Sequence, residues 1–409
     1  MIKTEKKSSH QANPINQGSD NMKQGWEIKK LGEIGKVSMC KRVFKEDTTP
    51  EGDIPFYKIG TFGKSPDAFI TKEKYEEFRS KFSFPKKGDI LISASGTIGR
   101  RVRYDGEPAY FQDSNIVWID NNEKQVLNDY LYRFYEICNW QSTKGATISR
   151  LYNENLRQIE IHFPKSLPEQ QRIVSILDKA FSVIERSRNN AEQNLKNAKE
   201  LFESYLQGVF ENGKWEKKEL RELTSILGDG LHGTPKYTIE GEYYFINGNN
   251  LNDGKIEFKE NTKRVNIDEF NKHKKNLADS TVLVSINGTL GNIAFYNGEK
   301  IILGKSACYF NLKENVDKGF VKYVLSSRYF INYANREATG ATIKNVSLKS
   351  MREFKVPCPP LKEQQTIVRQ LDALRAETQK LEAVYQKKIA DLEELKKSIL
   401  QKAFAGELN

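Results

Sequence analysis

Hydrophobic and polar positions along the chain follow two rhythms that alternate twice. From Trp26 to about residue 164, apolar residues fall in short runs bounded by Gly, Pro and Asp. Phe56–Ile59, Asp89–Ser93 and Asn115–Ile119 read as strands, and the aromatic-rich stretch Tyr130–Trp140 reads as a helix. From 165 to 212 the pattern becomes that of one long helix. The succession then repeats, with strands at Tyr244–Ile246, Thr281–Ser285 and Ala307–Phe310, a helical stretch at Phe320–Tyr333 and a second long helix over 359–409. The economical reading is an α+β fold in which two globular domains, 22–164 and 213–358, alternate with two long helices, 165–212 and 359–409. Residues 1–21 are polar and aperiodic and read as a disordered leader, with Met22 as a possible start.

The long helices carry a coiled-coil pattern. In the second, Ile367, Leu371, Leu374, Thr378, Leu381, Tyr385, Lys388, Leu392, Leu395 and Ile399 keep a 4-3 spacing. The positions 194 residues earlier are Ile173, Leu177, Ala180, Ile184, Ser187, Ala191, Asn194, Ala198, Leu201 and Tyr205. Small residues in one stripe face bulky ones in the other if the helices pair antiparallel, Ala191 and Ser187 near Leu381 and Tyr385. The expected seam is therefore Ile173, Leu177, Ile184, Ala191 and Leu201 against Leu371, Leu374, Leu381, Leu392, Leu395 and Ile399. On this reading Leu381→Asp destroys the pairing. The alternative is two separate amphipathic helices, each capping its own domain.

The repeat extends to landmarks. Glu169-Gln-Gln171 returns as Glu363-Gln-Gln365, and Trp26-Glu returns as Trp215-Glu. Gly96-Thr-Ile-Gly99 is answered by Gly288-Thr-Leu-Gly291, and Gly145-Ala-Thr-Ile148 by Gly340-Ala-Thr-Ile343. The loops between these landmarks differ almost entirely. Matching frames with unmatched loops suit two domains that do the same job on different targets.

Charge narrows the class of target. The formal net charge is +11 and the composition 29% charged, which favours an anionic partner such as nucleic acid. No apolar run is long enough for a membrane span, so the expected location is cytoplasmic. Cys40, Cys138, Cys308 and Cys358 are far apart and form no Cys-x-x-Cys pair, which argues against disulfides and structural zinc.

Motifs for catalysis are missing. Lys58-Ile-Gly-Thr-Phe-Gly-Lys-Ser65 resembles a phosphate loop, but Lys58 stands where the first glycine belongs and Pro66 blocks the following helix. His232, in Gly230-Leu-His-Gly-Thr-Pro235, has no nucleophile or carboxylate pair specified beside it and reads as a turn or contact residue. Pro357-Cys-Pro-Pro360 precedes the second long helix, where prolines suit a helix start.

The polar and basic residues at the glycine-marked turns can instead bind DNA. In the first half these are Thr61, Lys64, Ser93, Ser95, Thr97, Arg100, Arg101, Arg103, Gln112, Ser114, Asn115 and Lys144. In the second they are His232, Thr234, Asn247, Asn249, Asn250, Asn287, Thr289, Lys305, Ser306, Thr342 and Lys344. Arg, Lys, Asn and Gln can read base edges, while Lys, Ser and Thr position phosphates. The competing reading for each Ser, Thr or Asn is a plain turn residue.

These landmarks, in duplicated order and with the Phe404-Ala-Gly-Glu-Leu408 ending, resemble the specificity subunits of type I restriction-modification enzymes. The resemblance covers the chain from Trp26 onward. It implies two target-recognition domains that each read half of a split, asymmetric double-stranded DNA target. It implies two helical regions that hold the domains and dock two methyltransferase subunits, with two motor-nuclease restriction subunits joining for cleavage. The chain is then the non-catalytic recognition subunit of a restriction endonuclease and adenine-DNA methyltransferase, and S-adenosylmethionine, ATP and Mg belong to its partners. A coiled-coil scaffold whose domains bind protein is the alternative, which salt-sensitive DNA binding excludes.

If helix length sets the spacer between half-sites, inserting four residues near Asn190 adds roughly 6 Å and lengthens the preferred spacer by about one to two base pairs. Mapping the methylated target of the assembled complex checks this; an unchanged spacer in an active complex refutes it.

Overall fold

The computed structural model describes residues 23–140, 143–144, 149–340 and 342–408. The leader, Met22 and the first Gly-Ala-Thr-Ile segment lie outside the described residues. The chain divides into two compact units, 1–190 with 388–409, and 191–387. Each unit therefore contains one α+β domain and half of each long helix.

The first unit opens with a strand, Trp26–Lys30, paired antiparallel with Glu160–Pro164, so the domain closes where it began. Next comes a four-stranded antiparallel sheet in the order 35–38, 116–121, 90–93, 101–103. A three-stranded sheet holds 69–70, 54–57 and 110–111, the last two parallel. The second unit repeats this plan. Lys217–Glu219 pairs with Lys355–Pro357, a four-stranded sheet runs 224–229, 307–312, 281–285, 293–295, and a three-stranded sheet runs 264–265, 243–246, 301–303 with the last two again parallel. The strands expected at Phe56, Asp89, Asn115, Tyr244, Thr281 and Ala307 are all present. The aromatic stretch after Phe320 is two helices, Lys318–Ser326 and Arg328–Glu337. They break at fully buried Ser327, whose hydroxyl donates to the Val324 carbonyl at 2.6 Å.

The long helices are Leu167–Asn212 and Leu361–Phe404, of 46 and 44 residues, and the first is roughly 69 Å long. They run antiparallel. In the first unit Ile173, Leu177, Phe181 and Ile184 share a core with Leu400, Ala403 and Phe404. In the second, Phe202, Leu206 and Phe210 share one with Ile367 and Leu371. The helix stripes are thus part of the domain cores, and Phe404 packs 5.0 Å from Tyr130 while Phe210 packs 5.5 Å from Phe320.

The glutamines of the duplicated motif anchor each domain to its helix. Gln170 is fully buried; its carbonyl accepts from Leu127 N at 2.9 Å and its amide donates to Gln125 O and Pro164 O at 2.7 and 2.8 Å. Gln364 repeats the arrangement with Asp317 N, Asn315 O and Pro359 O. A buried amide with both ends satisfied specifies one geometry and resists replacement.

The seam differs from the expected stripe at alternate positions. Ile184, Ala191, Leu371 and Thr378 are buried as expected, and Leu374, Leu392 and Ile399 are half-buried, but Leu201, Leu381 and Leu395 are 52, 43 and 47% exposed. The inward residues are their neighbours, one position on. Phe181 and Phe202 are buried, and Arg375, Glu382 and Lys396 are half-buried. A 4-3 count leaves open whether the 3 or the 4 comes first, and leucines made one phase look more apolar. The structure chooses the other because cations there cover rings: Lys396 Nζ lies 4.9 Å from the Phe181 ring centroid and the Arg375 guanidinium 5.3 Å from that of Phe202. By the offset of 194 residues, Phe181 corresponds to Arg375 and Phe202 to Lys396, so one pair occurs twice with its partners exchanged.

Each pair is held by acid from its domain. Glu136 receives Arg101 and Arg133 at 2.7 Å and Lys396 at 3.2 Å. Asp253 receives Lys322 at 2.8 Å and Arg375 at 3.1 Å. Burial by itself raises the Glu136 carboxyl, but Arg101, the Arg133 hydrogen bond and Lys396 outweigh it and hold it below its ordinary value.

Two outcomes follow from this packing. Leu381→Asp leaves stability within about 0.5 kcal/mol, the reverse of the expectation from spacing alone, whereas Phe202→Ala costs about 3 to 5 kcal/mol; calorimetric melting of both variants checks this. Because the folded Glu136 carboxyl titrates lower than the unfolded one, its stabilisation is present above the unfolded value of about 4.3 and fades as pH falls through the folded value. Glu136→Gln therefore lowers Tm at pH 7 and removes part of the acid-side loss, read by melting at pH 3 to 7.

Candidate nucleic-acid interface

The turn after each central strand is built by a buried serine. Ser93 Oγ donates to Thr97 O at 2.5 Å and accepts from Arg100 N at 2.9 Å. Ser285 Oγ donates to Thr289 O and accepts from Asn292 N at 3.0 Å. Both turns need their glycines. Gly96, Gly99, Gly288 and Gly291 all have φ between 64° and 82°. A Cβ on Gly99 would meet Trp140 Nε1 at 2.2 Å, and one on Gly291 would meet Ile331 Cδ1 at 2.4 Å.

Beside each turn the chain returns to form a short ribbon that the sequence did not announce. In the second domain Gly288 N donates to Lys344 O at 2.9 Å and Val346 N to Ile286 O at 2.8 Å, so Asn287 faces Asn345. In the first domain Leu151 N donates to Ala94 O at 2.8 Å, and Ser95 faces Arg150. Neither Arg150 nor Asn345 was among the expected contact residues. The signal for them was weak, because each lies just beyond a Gly-Ala-Thr-Ile segment whose role spacing could not show.

Further turns converge on the second-domain ribbon. Ser306 Oγ donates to Asn247 Oδ1 and accepts from Gly248 N, both at 2.9 Å, and Ile286 N donates to Ser306 O. Leu231 N donates to Leu303 O, which brings in the loop of His232 and Thr234; His232 is exposed, with Nε2 2.6 Å from Asp229 Oδ2. The outward set at this end is Asn249, Thr289, Lys305, Thr342 and Lys344, all exposed, with Lys344 Nζ donating to Asn335 Oδ1 at 2.6 Å. Asn250 is 5% exposed and holds Glu257 O, Thr262 Oγ1 and Asn247 N, so it is a loop anchor and leaves the contact set.

In the first domain the structure also gathers the turns but spends more of the candidates on itself. Ser93 and Ser95 are 1 and 7% exposed, and Ser95 Oγ donates to Asn115 Oδ1 at 2.7 Å; burial removes both serines from contact. Gln112 Oε1 accepts from Ile59 N, and the Thr61 hydroxyl closes its own turn with Lys58, a turn with no helix after it. Ser114 stands in the left-handed region at φ 59° with its hydroxyl on Asp113. The three arginines after the turn are engaged as well. Arg100 Nη1 donates to Phe62 O at 2.9 Å, Arg101 pairs with Glu136 and lies 4.5 Å over Tyr132, and Arg103 pairs with Asp129. They were expected to reach outward; Arg101 instead pairs with Glu136, in the turn that follows the helix Asn128–Phe134. Thr97 and Lys64 remain exposed, and Lys144 lies in a strand pairing Thr143–Lys144 with Ser149–Arg150. In the second domain the arrangement is an uncharged, amide- and hydroxyl-rich ribbon flanked by lysines, and in the first the ribbon carries Arg150; both suit hydrogen bonding with a polyanion that carries polar edges. Among the described residues no group of three or more His, Cys, Asp or Glu could hold a metal ion, and no helix is long and apolar enough to cross a membrane.

Comparison with known proteins gives a consistent result. A family model described as the type I restriction modification DNA specificity domain matches twice, over residues 23–196 and 212–391. A putative type I restriction enzyme specificity subunit, S.HindORF215P of Haemophilus influenzae, is 64% identical over 149 residues, 36% of this chain and 38% of that protein. The putative MjaX specificity subunit of Methanocaldococcus jannaschii is 26% identical over 418 residues, 94% of each chain. Among solved structures, one described under complex assembly and conformational transition of the type I R-M system has a TM-score of 0.74 at 17% identity, covering 95% of this chain and 100% of that one. The HsdS subunit from Thermoanaerobacter tengcongensis has a TM-score of 0.61 at 18% identity, covering 96 and 99%. These two share the fold. With the doubled domain plan and a doubled family match over most of its length, the chain belongs to the family of type I restriction-modification DNA specificity subunits.

Proposed function

We propose that this chain reads a bipartite, asymmetric DNA target, each α+β domain reading one half through its turn-and-ribbon end. The observation that carries the reading is one frame built twice with different side chains at the same end: Ser95 and Arg150 in the first domain, Asn287 and Asn345 in the second. Methyltransferase and restriction subunits dock on the chain, and methyl transfer, translocation and cleavage belong to them. S-adenosylmethionine, ATP and Mg are accordingly held by those partners. The complex works on DNA in the cytoplasm.

Two measurements test this. Exchanging residues 215–356 for the second domain of another family member changes one half-site and leaves the other; a change in both, or in neither, refutes independent reading. Exposed Lys305 lies at the ribbon end, where a phosphate contact is sequence-blind. Lys305→Ala therefore weakens binding to all duplexes and lowers the slope of log affinity against log salt by about one unit, whereas Arg101→Ala acts on stability and leaves that slope unchanged.

A further inference from the structure

The Asn287–Asn345 pair stands on the outward face of its ribbon. Ile286 and Val346, the neighbours in sequence, are 3 and 1% exposed and lie in the domain core, so the strand alternation turns the asparagines the other way. Their two amides are joined, Asn287 Nδ2 donating to Asn345 Oδ1 at 3.0 Å. That bond leaves Asn287 Oδ1 as an acceptor and Asn345 Nδ2 as a donor, with one further hydrogen on Asn287 Nδ2 and one further lone pair on Asn345 Oδ1. Reversing both amides leaves the same set of donors and acceptors, so the pattern does not depend on which oxygen and nitrogen are assigned where. The approach is open: a Cβ on Gly288 would have nothing within 4 Å, and Thr289 and Lys344 flank the pair exposed.

Asn345 also pairs with Thr339 on its other side through two backbone bonds of 2.9 Å, which fixes its backbone, and a donor with an acceptor is the complement of an adenine edge in the major groove, which offers N7 as acceptor and the N6 amino group as donor. Guanine offers two acceptors there and leaves the free amide oxygen of the pair without a donor, which desolvation in the groove penalises. We propose that the Asn287–Asn345 pair is the adenine-reading element of the second domain, making one specified A·T pair in that domain's half-site. The inference rests on the DNA-reading function proposed above. The first domain has no counterpart, since its ribbon places Ser95 against Arg150 and ties Ser95 to Asn115.

The test is selection of bound duplexes from a pool with randomised half-sites, using the full chain and its Asn287→Ser and Asn345→Ala variants, with melting to establish that each is folded. Asn287→Ser keeps a small polar residue in the ribbon, so it serves if Asn345→Ala does not fold. The expected result is a bipartite motif in which one A·T position of one half loses about tenfold in enrichment in a variant, the other half is unchanged and binding to random DNA is retained. Relaxation at a G·C position, or a motif unchanged in folded variants, overturns the adenine assignment while leaving DNA reading in place. A wild-type chain that enriches no motif but melts normally overturns both.

Discussion

The structure depends on the antiparallel pairing of the two long helices, because their buried stripes are also the floors of the two domain cores. Ile173 and Leu177 pack with Leu31, Tyr130 and Phe163 of the first domain, and Ile367 and Leu371 with Phe320 and Val356 of the second. Shifting one helix along the other would uncover apolar area in two cores at once, at about 25 cal/mol per Å². Register is thereby fixed without a large apolar seam between the helices themselves. That explains why much of the stripe can consist of Ala, Thr and the stems of Arg and Lys.

Charge has been placed to serve this pairing first and DNA second. Arg101, Arg133, Arg375 and Lys396 are among the cations that sequence alone would assign to a polyanion, and each is instead bound to a carboxylate of its own unit while covering a ring. The cluster on Glu136, whose side chain is 7% exposed, is sensitive to loss of one partner more than to loss of both. Exposed lysines at the turn ends, Lys64, Lys305 and Lys344, stand outside these ring-covering pairs.

The two ribbons are one frame built twice with different side chains. The buried serines, the positive-φ glycines and the glutamine anchors are the same in both domains and fix where the ribbon lies. The residues between them differ: exposed Arg150 faces buried Ser95 in the first domain where Asn287 faces Asn345 in the second. The packing at this end is done by the neighbours of these residues, Ala94 and Leu151 or Ile286 and Val346.

The sequence by itself determined the repeat, the two-domain plan, the long helices and the strands, because periodicity of 2 and 3.5 residues and glycine-marked turns are local properties of the chain. It also determined that the motifs of catalysis were missing and that a family resemblance covered most of the chain. Only the tertiary structure decided the phase of the seam, where Leu201, Leu381 and Leu395 gave way to Phe202, Glu382 and Lys396, since a ring and a cation attract across helices in a way that no count along one helix reveals. It likewise decided which polar residues face outward. Ser93, Asn250 and Arg101 are of the same types as Thr289, Asn249 and Lys305, yet the first two are consumed by hydrogen bonds inside their own folded loops and Arg101 by an ion pair to Glu136. Arg150 and Asn345 came into view only when the ribbon brought them opposite Ser95 and Asn287, 55 and 58 positions away.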